Sequence, residues 1–255
     1  FCLLTADLNF IQKDEFTNII KAKKMTGNVL IYDLKLNKYF SNSKEQSQKG
    51  YLPASTFKIV NALIAFDKSI ATDTNFLFKW DGKKRRMSVW EKDMNFKEAY
   101  NVSCVPCFQQ IAKAIGVTEM NRYLKMFDYG NMIVNENSID NFWLEGESKI
   151  SQFQQVEFLK KLYFKKFPIS NESYDKIKSL ILLDNNNNYK LFGKTGWSIR
   201  NDHNYGWFVG FIEVKSNVYF FATFIEPEDQ KNLVDVTKAR KEITIKALKF
   251  MKIIE

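Results

Sequence analysis

Histidine is almost missing from this chain: His203 is the only one in 255 residues. That scarcity excludes His-rich zinc sites. A Ser-His-Asp triad would have to use His203 itself, and no G-x-S-x-G turn supports one. Cysteine is nearly as scarce, and Cys2, Cys104 and Cys107 do not make a disulfide framework. Cys104-x-x-Cys107 has redox-motif spacing but lacks a thioredoxin-like strand–helix–strand setting, so both read as small apolar core residues. No apolar run approaches the roughly 18 residues that a membrane span requires. The net charge is +9, yet no nucleic-acid-binding motif accompanies it. The basic excess, Lys83-Lys84-Arg85-Arg86 included, therefore reads as a lysine-rich soluble surface whose field attracts small anions. No internal repeat is visible.

What is present is core material. Hydrophobic residues make up 45% and aromatic residues 15%, enough for one large domain or two intimately packed ones. The first six residues, Phe1 to Ala6, are compatible with the tail of an export signal. Residues 27–34 read as a strand, with a second at 38–40. A buried helix follows 55, and helical patterns cover about 102–115, 118–127, 151–164 and 171–183. Asn185–Asn188 is a turn. Strands are expected at 189–195, 205–214 and 218–225, and a closing helix at 236–254. Near-continuous apolar runs such as Trp207-Phe208-Val209-Gly210-Phe211 indicate strands buried on both faces. The order implies an α+β chain: a mixed antiparallel sheet flanked by helices, plus a helical region from about 60 to 185.

The centre of this arrangement is Pro53-Ala54-Ser55-Thr56-Phe57-Lys58. Positions i and i+3 share a helix face, so the Ser55 hydroxyl and the Lys58 amine point into one space. Pro53 suits a helix start, and unpaired N–H groups there favour an alkoxide. Apolar neighbours such as Phe57 lower a lysine pKa from its usual value of about 10.4, converting an ammonium into a base. Serine with a neutral lysine is a route to an activated nucleophile without histidine. Ser103 lies near a second helix start, where Pro106 falls within the first turn. Lys194-Thr195-Gly196 ends a strand, where glycine allows a ligand close to the backbone. S-x-x-K, a later serine and K-[ST]-G on a strand form the signature of penicillin-recognising serine enzymes.

The sequence resembles the class D (OXA-type) serine β-lactamases from about residue 27 to the end. The resemblance is carried by Leu52-Pro53-Ala54-Ser55-Thr56-Phe57-Lys58, Phe78-Lys79-Trp80-Asp81-Gly82-Lys83, Ser103-Cys104-Val105-Pro106, Phe108-Gln109-Gln110, Tyr129-Gly130-Asn131, Phe142-Trp143-Leu144-Glu145-Gly146 and Lys194-Thr195-Gly196. Ser-x-Val and Tyr-Gly-Asn distinguish class D from class A, and Cys104 fills the variable middle position.

The resemblance implies a β-lactamase/transpeptidase-like fold in a single catalytic domain, 1–255. Its sheet region covers about 20–58 and 186–255, and its helical region about 59–185. Ser55 is expected as the nucleophile. Lys58, carboxylated by CO2, is expected as the general base, with no separate cofactor and no metal. Phe57 and Val105 would wall the carbamate, and the Trp143 indole N–H would hold it. Ser103 would relay a proton to the lactam nitrogen, with Lys194 adding positive potential. Thr195, Gly196 and Trp197 would line the substrate, and Arg240 would bind its carboxylate. The N–H groups of Ser55 and Trp197 are the expected oxyanion hole. Tyr129-Gly130-Asn131 would shape the pocket wall. Loops near Trp90, 197–205 and 225–233 would set substrate choice. The partners implied are β-lactam small molecules, not nucleic acid or a membrane span. The protein would be exported to the periplasm or cell surface as a monomer or homodimer. The alternatives are a BlaR/MecR-type sensor, which is acylated without turnover, and a D-Ala-D-Ala peptidase.

Overall fold

The structure, a computed structural model, describes residues 9–200, 203–230 and 235–255, the side chain of Arg200 excepted. Cys2, the 1–6 stretch, and positions 201–202 and 231–234 of the two expected specificity loops lie outside them. The chain enters through β1 (Phe10–Gln12) and α1 (Asp14–Lys21), then β2 (Met25–Asp33), β3 (Lys38–Ser41) and α2 (Lys44–Gln48). A 3-10 turn, Ala54–Phe57, runs into α3 (Lys58–Asp67). Next come β4 (Leu77–Phe78), β5 (Met94–Asn95), α4 (Phe96–Asn101), α5 (Val105–Ile115) and α6 (Val117–Phe127). Then α7 (Gln152–Tyr163) and α8 (Asn171–Leu180) lead back to β6 (Leu182–Asn185), β7 (Tyr189–Arg200), β8 (His203–Val214) and β9 (Asn217–Pro227), and α9 (Val236–Phe250) closes the chain.

The main sheet has the order β1-β3-β2-β9-β8-β7-β6, antiparallel throughout except for the parallel pair β1 and β3. Period-2 alternation explains why its central strands read as unbroken apolar runs. On β8, Trp207, Val209 and Phe211 join the core under the helical region, while Phe208 and Ile212 join the core under α1 and α9. On β9, Phe220, Ala222 and Phe224 face the first core, and Phe221 and Ile225 the second. One strand thus feeds two cores, and the buried Thr223 hydroxyl on β9 is accommodated by its bond with Thr244 of α9 at 2.7 Å.

Between the sheet and the outer helices lies α3, with Lys58 through Phe66 all buried. A helix apolar all round belongs in an interior. The elements around it are started by side-chain caps: Asn95 and Glu98 form a capping box at α4, and Ser151 and Gln154 another at α7.

Several elements differ from the sequence expectation. β1, α1 and β6 precede or interrupt the expected segments, so the sheet reaches outside residues 20–58 and 186–255. β1 and β6 are short edge strands, and α1 is too short to show a clear period. β4 and β5 pair as a small ribbon within the region read as all-helical. Ser55 sits in a 3-10 turn rather than at the first turn of an α-helix. Cys104 and Cys107, read as separate core residues, are joined by a disulfide. Both are buried, but Cys104 caps α5 and Cys107 lies three residues on, so the two sulfurs share one face of the first turn.

The 3-10 turn is tied to its surroundings by backbone bonds. Ala54 N–H donates to Trp143 O at 2.9 Å, and Tyr51 and Ile150 exchange two bonds at 3.0 and 2.8 Å. The Trp207 indole on β8 donates to Leu52 O at 3.0 Å, fixing the approach of this segment to the sheet. Trp207→Phe keeps the ring volume class but leaves that carbonyl unpaired, and is expected to destabilise by about 1–3 kcal/mol. Urea unfolding would show it as a lower midpoint at unchanged m-value.

Candidate active site

The site forms where the 3-10 turn meets the unpaired edge of β7. β6 pairs with Lys190 to Phe192 of that strand and Gly193 N–H still donates to Ile181 O at 2.9 Å, so the open edge begins after Gly193. At Gly196 an added Cβ would lie 3.1 Å from Pro53 O and 3.1 Å from Thr56 Cγ2, so a side chain there would press on the turn and glycine lets β7 come this near without displacing it.

Within the turn Lys58 Nζ donates to Ser55 Oγ at 3.0 Å. The tighter 3-10 winding eclipses i and i+3 more closely than an α-helix would. Ala54 adopts a φ of 48°, a left-handed backbone that costs an alanine of order 1–3 kcal/mol. The surroundings hold it there. Thr56 Oγ1 donates to Pro53 O at 2.7 Å and accepts from Gln155 Nε2 at 2.9 Å, and Tyr129 Oη bonds Gln155 Oε1 at 3.3 Å. Thr56 fills an unspecified position of S-x-x-K and Gln155 carries no motif, which is why sequence reasoning gave neither a role here. Gly130 of Tyr-Gly-Asn has a φ of 62°, and a Cβ there would meet Lys149 O at 2.6 Å.

Lys58 is fully buried, and burial alone pushes its pKa down to about 7. The Phe108 ring stands 5.1 Å from its amine. Phe57, also fully buried, stacks on Trp143 at 5.5 Å between ring centroids. The Trp143 indole N–H is buried and has no hydrogen-bond partner. Val105 opens α5 and is half-buried. Phe108 stands over the amine but was not among the site residues expected.

Ser103 lies just before α5, also left-handed with a φ of 53°. Lys194 Nζ donates to Ser103 Oγ at 2.5 Å and to Thr195 O at 3.1 Å. Lys194 is buried, and burial, then Lys58, Arg240 and Lys241, push its pKa well down. Thr195 is half-buried, and Trp197 is exposed with its indole donating to Asn204 Oδ1 at 2.8 Å. Arg240 on α9 donates to Gly196 O through Nη1, its Nε has no partner, and burial lowers its pKa to about 10. His203 is exposed at the start of β8. Ser55 is bonded by an amine, not an imidazole. No cluster of metal-ligating residues occurs among the described residues.

Two buried lysines and an arginine thus converge, with no carboxylate among the groups that shift either lysine. Such a field favours an anion with a reactive carbonyl at Ser55.

The penicillin binding protein transpeptidase domain matches residues 20–249. The chain is 38% identical over 231 residues to beta-lactamase OXA-48 of Klebsiella pneumoniae, covering 91% of this chain and 85% of that one. It is 37% identical to the class D beta-lactamase of Sebaldella termitidis, whose crystal structure superposes with a TM-score of 0.91 over 96% of this chain and 99% of that one. The C-terminal domain of the Bacillus licheniformis BlaR penicillin receptor superposes with a TM-score of 0.87 at 28% identity, over 97% of both chains.

The folded pKa of Lys58, about 7, lies below the unfolded value near 10.4, so between those pH values only the unfolded chain binds this proton. Stability gained by losing that burden therefore rises with pH from 7 to about 10. Lys58→Met is expected to unfold less readily than the unsubstituted protein in CO2-free buffer at pH 7, by up to roughly 5 kcal/mol. The difference should vanish by about pH 10 in urea titrations.

Proposed function

The chain belongs to the class D serine β-lactamases, within the transpeptidase-domain family of penicillin-binding proteins, and we propose that it hydrolyses β-lactams through an acyl-enzyme on Ser55. The observation that carries this reading is the Lys58 amine, fully buried, depressed to about 7 and 3.0 Å from the Ser55 hydroxyl.

An amine must be unprotonated to react with CO2, and burial supplies that condition at neutral pH. The unpartnered Trp143 N–H supports the fit, because a buried donor left without an acceptor costs about 1–3 kcal/mol. Carboxylated Lys58 would supply a general base, with Trp143 bonding it and Phe57, Val105 and Phe108 keeping water out. Ser55 Oγ, its proton taken at position 58, attacks the lactam carbonyl. The N–H groups of Ser55 and Trp197 receive the oxyanion, each worth about 2.7–4 kcal/mol in such sites. Ser103 passes a proton to the lactam nitrogen as the C–N bond breaks, and Lys194 restores it. Thr195 and Arg240 hold the substrate carboxylate, whose charge offsets the mutual repulsion of the cations. A water deprotonated at position 58 then releases Ser55. The Cys104–Cys107 bridge supports an oxidising setting, the periplasm or cell surface, as the place of work.

The superposition with the BlaR domain favours a second reading, a sensor that keeps its acyl group. One equivalent of nitrocefin separates the two: continued turnover beyond one equivalent supports hydrolysis, and a stoichiometric halt supports the sensor. Lys58→Ala is expected to abolish turnover, and full activity in it would refute the mechanism. Below pH 7 the amine gains its proton, so activity of the unsubstituted enzyme should fall there, and added bicarbonate should restore it. Arg240→Ala should raise KM about tenfold, the loss of one charged hydrogen bond, with a smaller change in kcat.

A further inference from the structure

The Cys104–Cys107 disulfide immediately follows Ser103 and closes the first turn of α5. Three further observations go beyond a structural staple. The backbone N–H of Cys107 donates to Cys104 Sγ at 3.2 Å, so sulfur charge at Cys104 meets both an N–H and a helix N-terminus. Both cysteines line a surface cleft bounded by Trp80, Trp90 and Pro106 and by Lys79, Arg85 and Lys92, against which stands Asp81. Arg85 also holds a buried Nε without a partner, although its Nη2 pairs with Asp81 at 2.5 Å. Lys79 is paired with Asp93 and Arg85 with Asp81, yet the cleft's three cations outnumber its one carboxylate, and a helix-capping sulfur beside such a cleft is favoured as a thiolate.

We propose that this bridge is a thiol–disulfide exchange site, reached through that cleft and coupled to the position of Ser103. A thiolate entering the cleft attacks Cys107 Sγ, which belongs to the less deeply buried of the two residues, 6% exposed against 1% for Cys104. A bond forms between the incoming sulfur and Cys107, the bridge breaks, and its electron pair leaves on Cys104 Sγ, held there by the Cys107 N–H. A second thiol resolves the mixed disulfide, so two electrons pass from two thiols and one external disulfide departs. With the turn released, Ser103 loses a covalent constraint one residue away. Its left-handed backbone then rests on Ser103 N–H to Tyr100 O at 3.1 Å and Cys104 N–H to Ala99 O at 2.8 Å. The Ser103 hydroxyl no longer keeps its 2.5 Å contact with Lys194. The cysteines are positioning residues, and the proton-transfer step is what they position.

The exchange itself does not rest on the β-lactam reading; its effect on turnover does. The test is run on the folded chain. Free thiols are first blocked with iodoacetamide, dithiothreitol is added without denaturant, and new thiols are counted by maleimide mass labelling alongside near-UV circular dichroism. Two new labels with native dichroism are expected. With nitrocefin, kcat should fall on the order of tenfold with KM nearly unchanged, less than the ~100-fold of a 1 Å misplacement. Oxidised glutathione should reverse both. The double variant Cys104→Ser, Cys107→Ser should show the lowered kcat with no response to dithiothreitol. Labels that appear only once urea unfolds the chain would overturn the exchange site. Two labels with unchanged kcat would overturn the coupling to Ser103. Should the untreated protein not turn nitrocefin over, the catalytic reading fails alone, and the labelling still decides the exchange.

Discussion

The structure depends on one unfavourable act: the removal of a lysine amine from water. Lys58 is enclosed by Phe57, Phe108 and the buried helix that it begins, and no carboxylate repays its desolvation. The amine answers by giving up its proton, and a neutral amine within hydrogen-bond reach of a serine is a base. Stability is reduced so that a reactive protonation state exists near neutral pH. The two central strands, each serving two cores, supply the surplus that makes this tolerable.

A second cost sits beside the first. Ala54 and Ser103, each next to or at a serine of the proposed site, are both left-handed without being glycine. Strain of this kind persists only where the surroundings over-determine it. At Ala54 the constraint is the bond to Trp143 O and the Thr56–Gln155–Tyr129 chain. At Ser103 it is the first turn of α5 with its disulfide and the Lys194 amine. The remaining cations add a third tension, because Arg240 and Lys241 both act unfavourably on the charged form of Lys194. In the proposed reaction a substrate carboxylate would relieve it, so affinity and electrostatic relief would coincide.

Local chemistry was the legible part. The period-2 runs of β8 and β9, the S-x-x-K spacing, Pro106 in the first turn of α5, and the polar hairpin turn before Tyr189 are all set by neighbours within a few residues. The short edge strands β1 and β6 were not legible, since three or four residues carry no period. The disulfide is not legible either, since CxxC spacing at a helix start brings two sulfurs to one face without specifying that they bond. Thr56 and Gln155 were missed because nothing marks a hydroxyl and an amide 99 residues apart as partners.

By itself the sequence determined which residue types were available to react: a serine three positions before a lysine, another serine ahead of a helix, and a lysine on a strand, which was expected to end at 195 but runs on to Arg200 and so holds Lys194 in its middle. Their spacing along the chain also determined that the first two would share a face, because that relation is a property of one turn of backbone. Only tertiary structure decided that Lys194 reaches Ser103 across 91 residues, that Trp143 stacks on Phe57, and that Arg240 comes in from the last helix to Gly196. It alone decided the protonation of Lys58 as well, because desolvation is imposed by everything packed around an atom, and no local stretch of chain contains that environment.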